Sequence, residues 1–190
     1  MIKLSFIVPF YNVEKYIGAC LDSLYAQDIP EEEYEVICVD DCSPDNSKSI
    51  VIQYQKKYKN LILIEHENNK GLGASRNTGL NAARGEYVWF VDSDDFVSIN
   101  AVSKLISYAE TYSPDVILFN YQRVSEIGKV IDKGLVFENS ELLSGKEFVN
   151  TFFGESFIYH LGYVWRCVYS TRYLKQNNLL FPEKVFWEDT

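Results

Sequence analysis

Short apolar runs alternate with stretches whose apolar residues recur at helical spacing. Leu4 to Pro9 carries Leu4, Phe6, Ile7 and Val8, the pattern of a strand buried on both faces. Pro9-Phe10-Tyr11-Asn12 breaks it, and Asn12 is placed to cap a helix with Glu14 in its first turn. Ile17, Cys20, Leu21, Leu24 and Tyr25 then repeat at helical spacing until near Asp28, before Pro30. Glu35 to Val39 is a second strand. Ser43-Pro44 reads as the N-cap and first residue of a helix with Ile50, Val51, Tyr54 and Tyr58 on one face. Leu61 to Ile64 is a third strand, and the loop Asn68 to Asn77 leads into a helix ending near Gly85. The aromatic and β-branched run from Tyr87 is a fourth buried strand. A helix from about Ile99 to Tyr112 turns Val102, Leu105, Ile106 and Ala109 inward, and Val116 to Tyr121 is a fifth strand.

This alternation predicts an α/β fold with a mostly parallel central sheet, right-handed crossovers and flanking helices. The rhythm changes after residue 115. Gln122 to Phe137 reads as an irregular or hairpin segment with turns at Gly128 and Gly134. Gly145 to Phe153 is a short helix, Tyr163 to Tyr169 is strand-like, Thr171 to Asn177 is helical and Phe181 to Thr190 is loop. The tail reads as a loop arriving at a new helix start, so the natural chain is expected to continue past Thr190.

Composition narrows the class. The chain has 190 residues, 47% of them apolar, enough for one sizeable core and a single domain. A formal net charge of −9 argues against nucleic acid as a partner, but a metal can supply positive charge for a phosphorylated ligand. Cys20, Cys38, Cys42 and Cys167 lack zinc-ligand spacing and are expected to be reduced thiols. No apolar run approaches a membrane span, and Met1-Ile2-Lys3 enters a strand without a signal peptide. The expected location is the cytoplasm.

The candidate chemistry lies where strands end. Asp92, Asp94 and Asp95 follow the Tyr87 strand directly. Such a cluster repels itself unless a cation sits among the oxygens, and hard oxygen ligands suit Mg²⁺ or Mn²⁺. Asp40-Asp41 closes the second strand, and open α/β sheets bind ligands at this end of the strands. Asn12, Ser43, Arg76 and Asn77 add donors and a positive charge, which together suit a nucleoside diphosphate held through a divalent metal. Taken singly, each feature has a plainer reading. Asp40 to Ser43 reads equally as an Asx turn with a helix cap, and Gly71-x-Gly73 as a plain turn. Arg76 reads as a surface ion pair, and Asp92 to Asp95 as capping carboxylates for the next helix. His66 and His160 are isolated, and each is expected to be satisfied or solvated.

In order, the segments Phe6-Ile7-Val8-Pro9-Phe10-Tyr11-Asn12, Val39-Asp40-Asp41-Cys42-Ser43-Pro44-Asp45, Asn69-Lys70-Gly71-Leu72-Gly73-Ala74-Ser75-Arg76-Asn77-Thr78-Gly79 and Gly85-Glu86-Tyr87 through Asp92-Ser93-Asp94-Asp95 resemble the family 2 glycosyltransferases. Val164-Trp165-Arg166 and Phe181-Pro182 to Asp189-Thr190 resemble that family's acceptor half. The resemblance implies an inverting enzyme with the GT-A fold over residues 1–190. Residues 1–115 would form the nucleotide-sugar half and 116–190 the acceptor-side half. Pro9, Tyr11 and Asn12 would border base and ribose, and Asp41 would accept from the base. Arg76 would sit near the diphosphate or order the acidic turn. Asp92-Ser93-Asp94 matches the family's DxD motif: Asp94 would bind Mn²⁺ or Mg²⁺, and Asp92 would contact ribose or a metal-bound water. Asp189 matches the catalytic base. Cys42 departs from the pattern, standing where glycine is usual.

The implied partners are a nucleotide-sugar donor, expected to be UDP-linked, and a saccharide or lipid-linked saccharide acceptor. The implied activity is hexosyl or N-acetylhexosaminyl transfer in polysaccharide synthesis. Peripheral contact with the inner face of the membrane would come through residues after Thr190. Two alternatives stand beside it. One is a nucleotide-sugar-binding module or inactive fragment. The other is a sugar nucleotidyltransferase, which the glycine-free loop after the first strand disfavours.

Overall fold

The computed structural model describes residues 1–125, 128–133, 142–152 and 163–183. Its first half runs β1 (Leu4–Phe10), α1 (Ile17–Tyr25), β2 (Tyr34–Asp40), α2 (Ser47–Lys57), β3 (Leu61–Glu65), α3 (Leu72–Ala82), β4 (Tyr87–Phe90) and α4 (Ala101–Tyr112). The remainder runs β5 (Val116–Leu118), β6 (Arg123–Val124), β7 (Val130–Asp132), α5 (Gly145–Phe152), β8 (Cys167–Ser170) and α6 (Thr171–Gln176). Single turns of 3₁₀ helix, Glu31–Glu33 and Val164–Arg166, lead into β2 and β8.

The main sheet has the order β3-β2-β1-β4-β8-β5. β1 pairs in parallel with β2 on one side and β4 on the other, while β8 is antiparallel to both β4 and β5. The chain builds outward from β1 in one direction, then returns and crosses to its other flank. The carboxyl ends of β1 and β4 therefore flank a topological switch point, where open α/β sheets bind ligands.

Alternation along each strand feeds two cores. Phe6 and Val8 face Ile17, Leu21, Leu24 and Val102 of α1 and α4. Ile7, Ile37, Val39 and Phe90 face Leu80 and Leu174 of α3 and α6. Fully burying each such side chain stabilises the fold by roughly 1.5–3 kcal/mol. α3 lies close against β1 because Gly79 has no side chain: a Cβ there would stand 2.3 Å from Ile7 Cγ2. That approach sets the depth of Arg76, one turn earlier on α3.

At the amino ends of the strands, Glu35 is fully buried. Its carboxylate accepts from Ser5 Oγ at 2.7 Å, from the Arg84 main-chain N–H at 2.7 Å and from Arg84 Nη2 at 2.6 Å. This network ties β1, β2 and the approach to β4. A charge so deep is tolerated only when paired and hydrogen-bonded.

Several boundaries differ from the sequence pattern. β1 runs through Pro9 to Phe10. Ile7 accepts from Val91 N on the β4 side at 2.9 Å, and Pro9, two residues on, points its main chain the same way past the end of β4. The missing N–H of Pro9 therefore costs no ladder bond. Asn12 caps no helix; it is left-handed at φ 57, and α1 starts at Ile17. Ser43 does not cap α2 either, which begins at Ser47. α3 ends at Ala82, before Gly85. β5 stops at Leu118, because β8, its only partner among the described residues, gives way to a 3₁₀ turn at Val164–Arg166. That same turn shortens the strand read over Tyr163 to Tyr169. The hairpin after Gln122 is β6–β7, with Gly128 at φ 75 in its turn. Gly134 and Phe153 lie outside the described residues.

Candidate active site

The loops after β1 and β2 are stitched together over the switch point. Asn12 N donates to Ser43 Oγ at 3.3 Å, and Val13 N to Ser47 Oγ at 2.9 Å. Glu14 N donates to Asp45 Oδ2 at 2.8 Å, and Asn46 N returns a bond to Glu14 Oε2 at 2.9 Å. Burial alone pushes the Asp45 carboxyl up, but hydrogen bonds from Ser47 and from the Glu14 main chain outweigh it and hold it below the ordinary value. Tyr11, nearly half exposed, and Asn12 are thereby presented at the crevice beside Pro9.

Both acids at the end of β2 are buried and engaged. Asp40 Oδ1 accepts from Ser43 N at 2.8 Å, the Asx turn that the sequence allowed as one reading. Asp41 is more heavily used. Its Oδ1 accepts from Lys70 N and its Oδ2 from Gly71 N, each at 2.8 Å. His66 Nδ1 lies 2.7 Å from Oδ1, and His66 Nε2 lies 2.9 Å from Thr78 Oγ1. Asp41 thus clips the glycine-bearing loop before α3 to the end of β2. Sequence reasoning left His66 as merely satisfied and gave Thr78 and Lys70 no role; nothing in their local spacing links them to Asp41. His160 lies outside the described residues. Cys42 is left-handed at φ 64, a conformation that favours glycine, which accounts for glycine being usual there.

The acidic turn follows β4. Asp95 N donates to Asp92 O at 3.0 Å, closing a tight turn. The helix-capping reading is excluded, because α4 begins at Ala101 after Asn100, five residues beyond Asp95. Ser93 is buried, and Asp94 is exposed. Asp95 reaches solvent, yet the protein crowded around its carboxyl pushes it up to about 6, by desolvation first and then by Asp92 and Asp94. Cys20 lies beneath the turn. Burial first, and then the charges of Asp95, Asp94 and Asp92, push its thiol up to about 12.

Arg76 is no surface residue. It is 1% exposed, and Nη2 donates to Asp92 Oδ1 at 2.9 Å. Its Nε and Nη1 have no hydrogen-bond partner among the described residues, which leaves two charged donors buried in the crevice. A buried unsatisfied charged donor costs a few kcal/mol, so an anion at this point is favoured.

The donor set suits a hard divalent cation: Asp92 and Asp94 offer only carboxylate oxygens. Among the described residues no three His, Cys, Asp or Glu side chains are grouped to hold a metal. The described residues would thus contribute one or two carboxylates, leaving other positions to other ligands such as phosphate oxygens and water. Pro9, Tyr11, Asn12, Asp41, Arg76, Asp92, Ser93 and Asp94 all fall at the carboxyl ends of β1, β2 and β4 or on the facing helix α3. Asp189 lies outside the described residues.

Residues 5–170 match glycosyl transferase family 2. The poly(ribitol-phosphate) beta-glucosyltransferase of Bacillus spizizenii is 35% identical over 187 residues, covering 96% of this chain and 27% of that protein. The poly(ribitol-phosphate) beta-N-acetylglucosaminyltransferase TarS of Staphylococcus aureus is 35% identical over 185 residues, covering 97% of this chain and 30% of that protein. The crystal structure of S. aureus TarS 1–349 in complex with UDP-GlcNAc superposes with a TM-score of 0.81 at 35% identity, over 99% of this chain and 51% of that one. This chain thus spans only part of the length of the relatives it matches. No described helix is long and apolar enough to cross a membrane. Fold and family match agree: the chain belongs to glycosyl transferase family 2 and has its GT-A fold.

Proposed function

We propose that the chain transfers a hexose or N-acetylhexosamine from a UDP-sugar to a saccharide hydroxyl, with inversion, in cell-wall or other glycan synthesis. The observation that carries this reading is the carboxylate turn Asp92–Asp94 at the switch point, facing the buried Arg76. The relatives named above, with a UDP-GlcNAc complex among them, support the donor class. Residues 1–115 form the donor half in this reading, and 116–190 the acceptor side.

Pro9, Tyr11 and Asn12 border the base and ribose. A carboxylate has about four acceptor sites; the one left on Asp41, on Oδ2 beside the Gly71 N–H, suits a base N–H. Arg76 directs its two unpartnered donors at the diphosphate. Asp94 would hold Mn²⁺ or Mg²⁺, Asp92 would contact ribose or a metal-bound water, and Ser93 spaces the two acids. The cation, when bound, neutralises charge on the departing nucleoside diphosphate. Asp189 takes the acceptor hydroxyl's proton as it attacks the anomeric carbon, which a neutral hydroxyl cannot do unaided. Attack opposite the leaving group inverts that centre.

The test is Asp189→Asn, assayed for binding and transfer separately. Donor affinity stays within about twofold, and transfer falls by at least about 10²-fold, the lower range for losing a general base. Transfer at the wild-type rate would remove Asp189 from the role.

A further inference from the structure

The segment after α6 returns to α3 and docks there by its main chain. Phe181 N donates to Asn77 Oδ1 and Asn77 Nδ2 donates to Phe181 O, both at 2.9 Å and across 104 residues of sequence. The paired bonds mimic one rung of a β-ladder. Next to it, a Cβ on Gly73 would stand 2.5 Å from Pro182 O, so the helix face is notched where the segment lies. Phe181 then reaches the donor site. Its ring lies 5.2 Å from the Arg76 guanidinium carbon and meets Phe90 of β4 edge-on at 5.0 Å. Arg76 in turn holds Asp92.

We infer that Phe181 is a positioning residue of the donor site, seated by Asn77 and Gly73, that fixes the Arg76–Asp92 pair from across the chain. The ring covers the guanidinium, keeps water from it and holds its plane in place. A desolvated cation is attracted to the face of an aromatic ring, and an ion pair is stronger where water is excluded. The nucleotide half is accordingly incomplete without Phe181, although the boundary drawn near residue 115 places this residue on the acceptor side.

This inference rests on the proposed UDP-sugar function, and the experiment separates the two. Binding of UDP with Mn²⁺ and of uridine alone is measured for the wild type, Phe181→Ala and Phe181→Tyr. Phe181→Ala weakens UDP·Mn²⁺ by about tenfold, the scale of one lost cation–π and ion-pair contact. Uridine, which has no diphosphate, changes less than twofold, and Phe181→Tyr restores UDP binding. Equal weakening of both probes, or no weakening, overturns the role. If the wild type binds neither probe, the proposed function fails on its own, and urea unfolding then decides the anchor. Asn77→Ala and Gly73→Ala undock the same segment, so the double variant loses little more than the worse single one. Fully additive losses overturn the anchor.

Discussion

Individual residues in the crevice carry roles that their types alone do not reveal. Asp41 and Arg76 were readable as candidates only in combination with the other strand-end residues and through the family resemblance, because each alone has a plain use, an Asx turn or a surface ion pair. Their partners were not readable. His66, Thr78 and the Lys70 and Gly71 N–H groups meet Asp41 only after the chain folds back. The Asn77–Phe181 pair spans most of the sequence and has no local signal. Cys42 offers a test at this scale. A non-glycine residue in the left-handed region costs about 1–2 kcal/mol, and glycine's extra unfolded-state entropy costs about 0.5–1 kcal/mol. Cys42→Gly is therefore expected to raise stability by about 0.5 kcal/mol in urea unfolding, against the usual sign for glycine. A loss of stability would show that the Cys42 backbone is not strained.

The elements themselves were legible because their patterns are local. Continuous apolar runs marked β1 to β4, and helical periodicity marked α1, α2 and α4. Helix starts failed, since the loops after β1 and β2 fold on each other and use Asn12 and Ser43 as cross-braces rather than caps, while Asp45 both braces Glu14 N and accepts from Ser47 N at the start of α2. Asp45 makes that brace pH-dependent. Its carboxyl is held below the ordinary value of 3.8, so its stabilisation is present above pH 3.8 and is lost as the pH falls through the lower folded value. Asp45→Asn is expected to cost about 1 kcal/mol at neutral pH. The difference from wild type should vanish in acid; a constant difference down to pH 2 would refute the brace. At the opposite end of the sheet, Arg84→Ala leaves the buried Glu35 carboxylate without its guanidinium. Because the Arg84 side chain is 63% exposed, water replaces part of what is lost, and the expected cost is about 2 kcal/mol rather than the 3–5 kcal/mol of a fully buried pair. A change below about 0.5 kcal/mol in chemical unfolding would show that Ser5 and the Arg84 N–H satisfy Glu35 alone.

Across the whole molecule the two ends of the sheet do different work. The amino ends bury a satisfied charge network, and the carboxyl ends gather the acids and the two unpartnered donors of Arg76 at the switch point. A chain of net charge −9 can hold a doubly charged nucleotide only if positive charge is brought to it. In the proposed reading Arg76 would supply part of that charge, and a cation at Asp94 the rest. Calorimetric titration of UDP in Mn²⁺, comparing wild type with Asp94→Asn and with wild type in excess chelator, tests this most directly. Wild type binds in Mn²⁺, while the variant and the chelated protein each lose at least tenfold in affinity, about 1.4 kcal/mol. Equal UDP affinity in Asp94→Asn and wild type, both in Mn²⁺, would contradict the assignment of the acidic turn as the metal–diphosphate site.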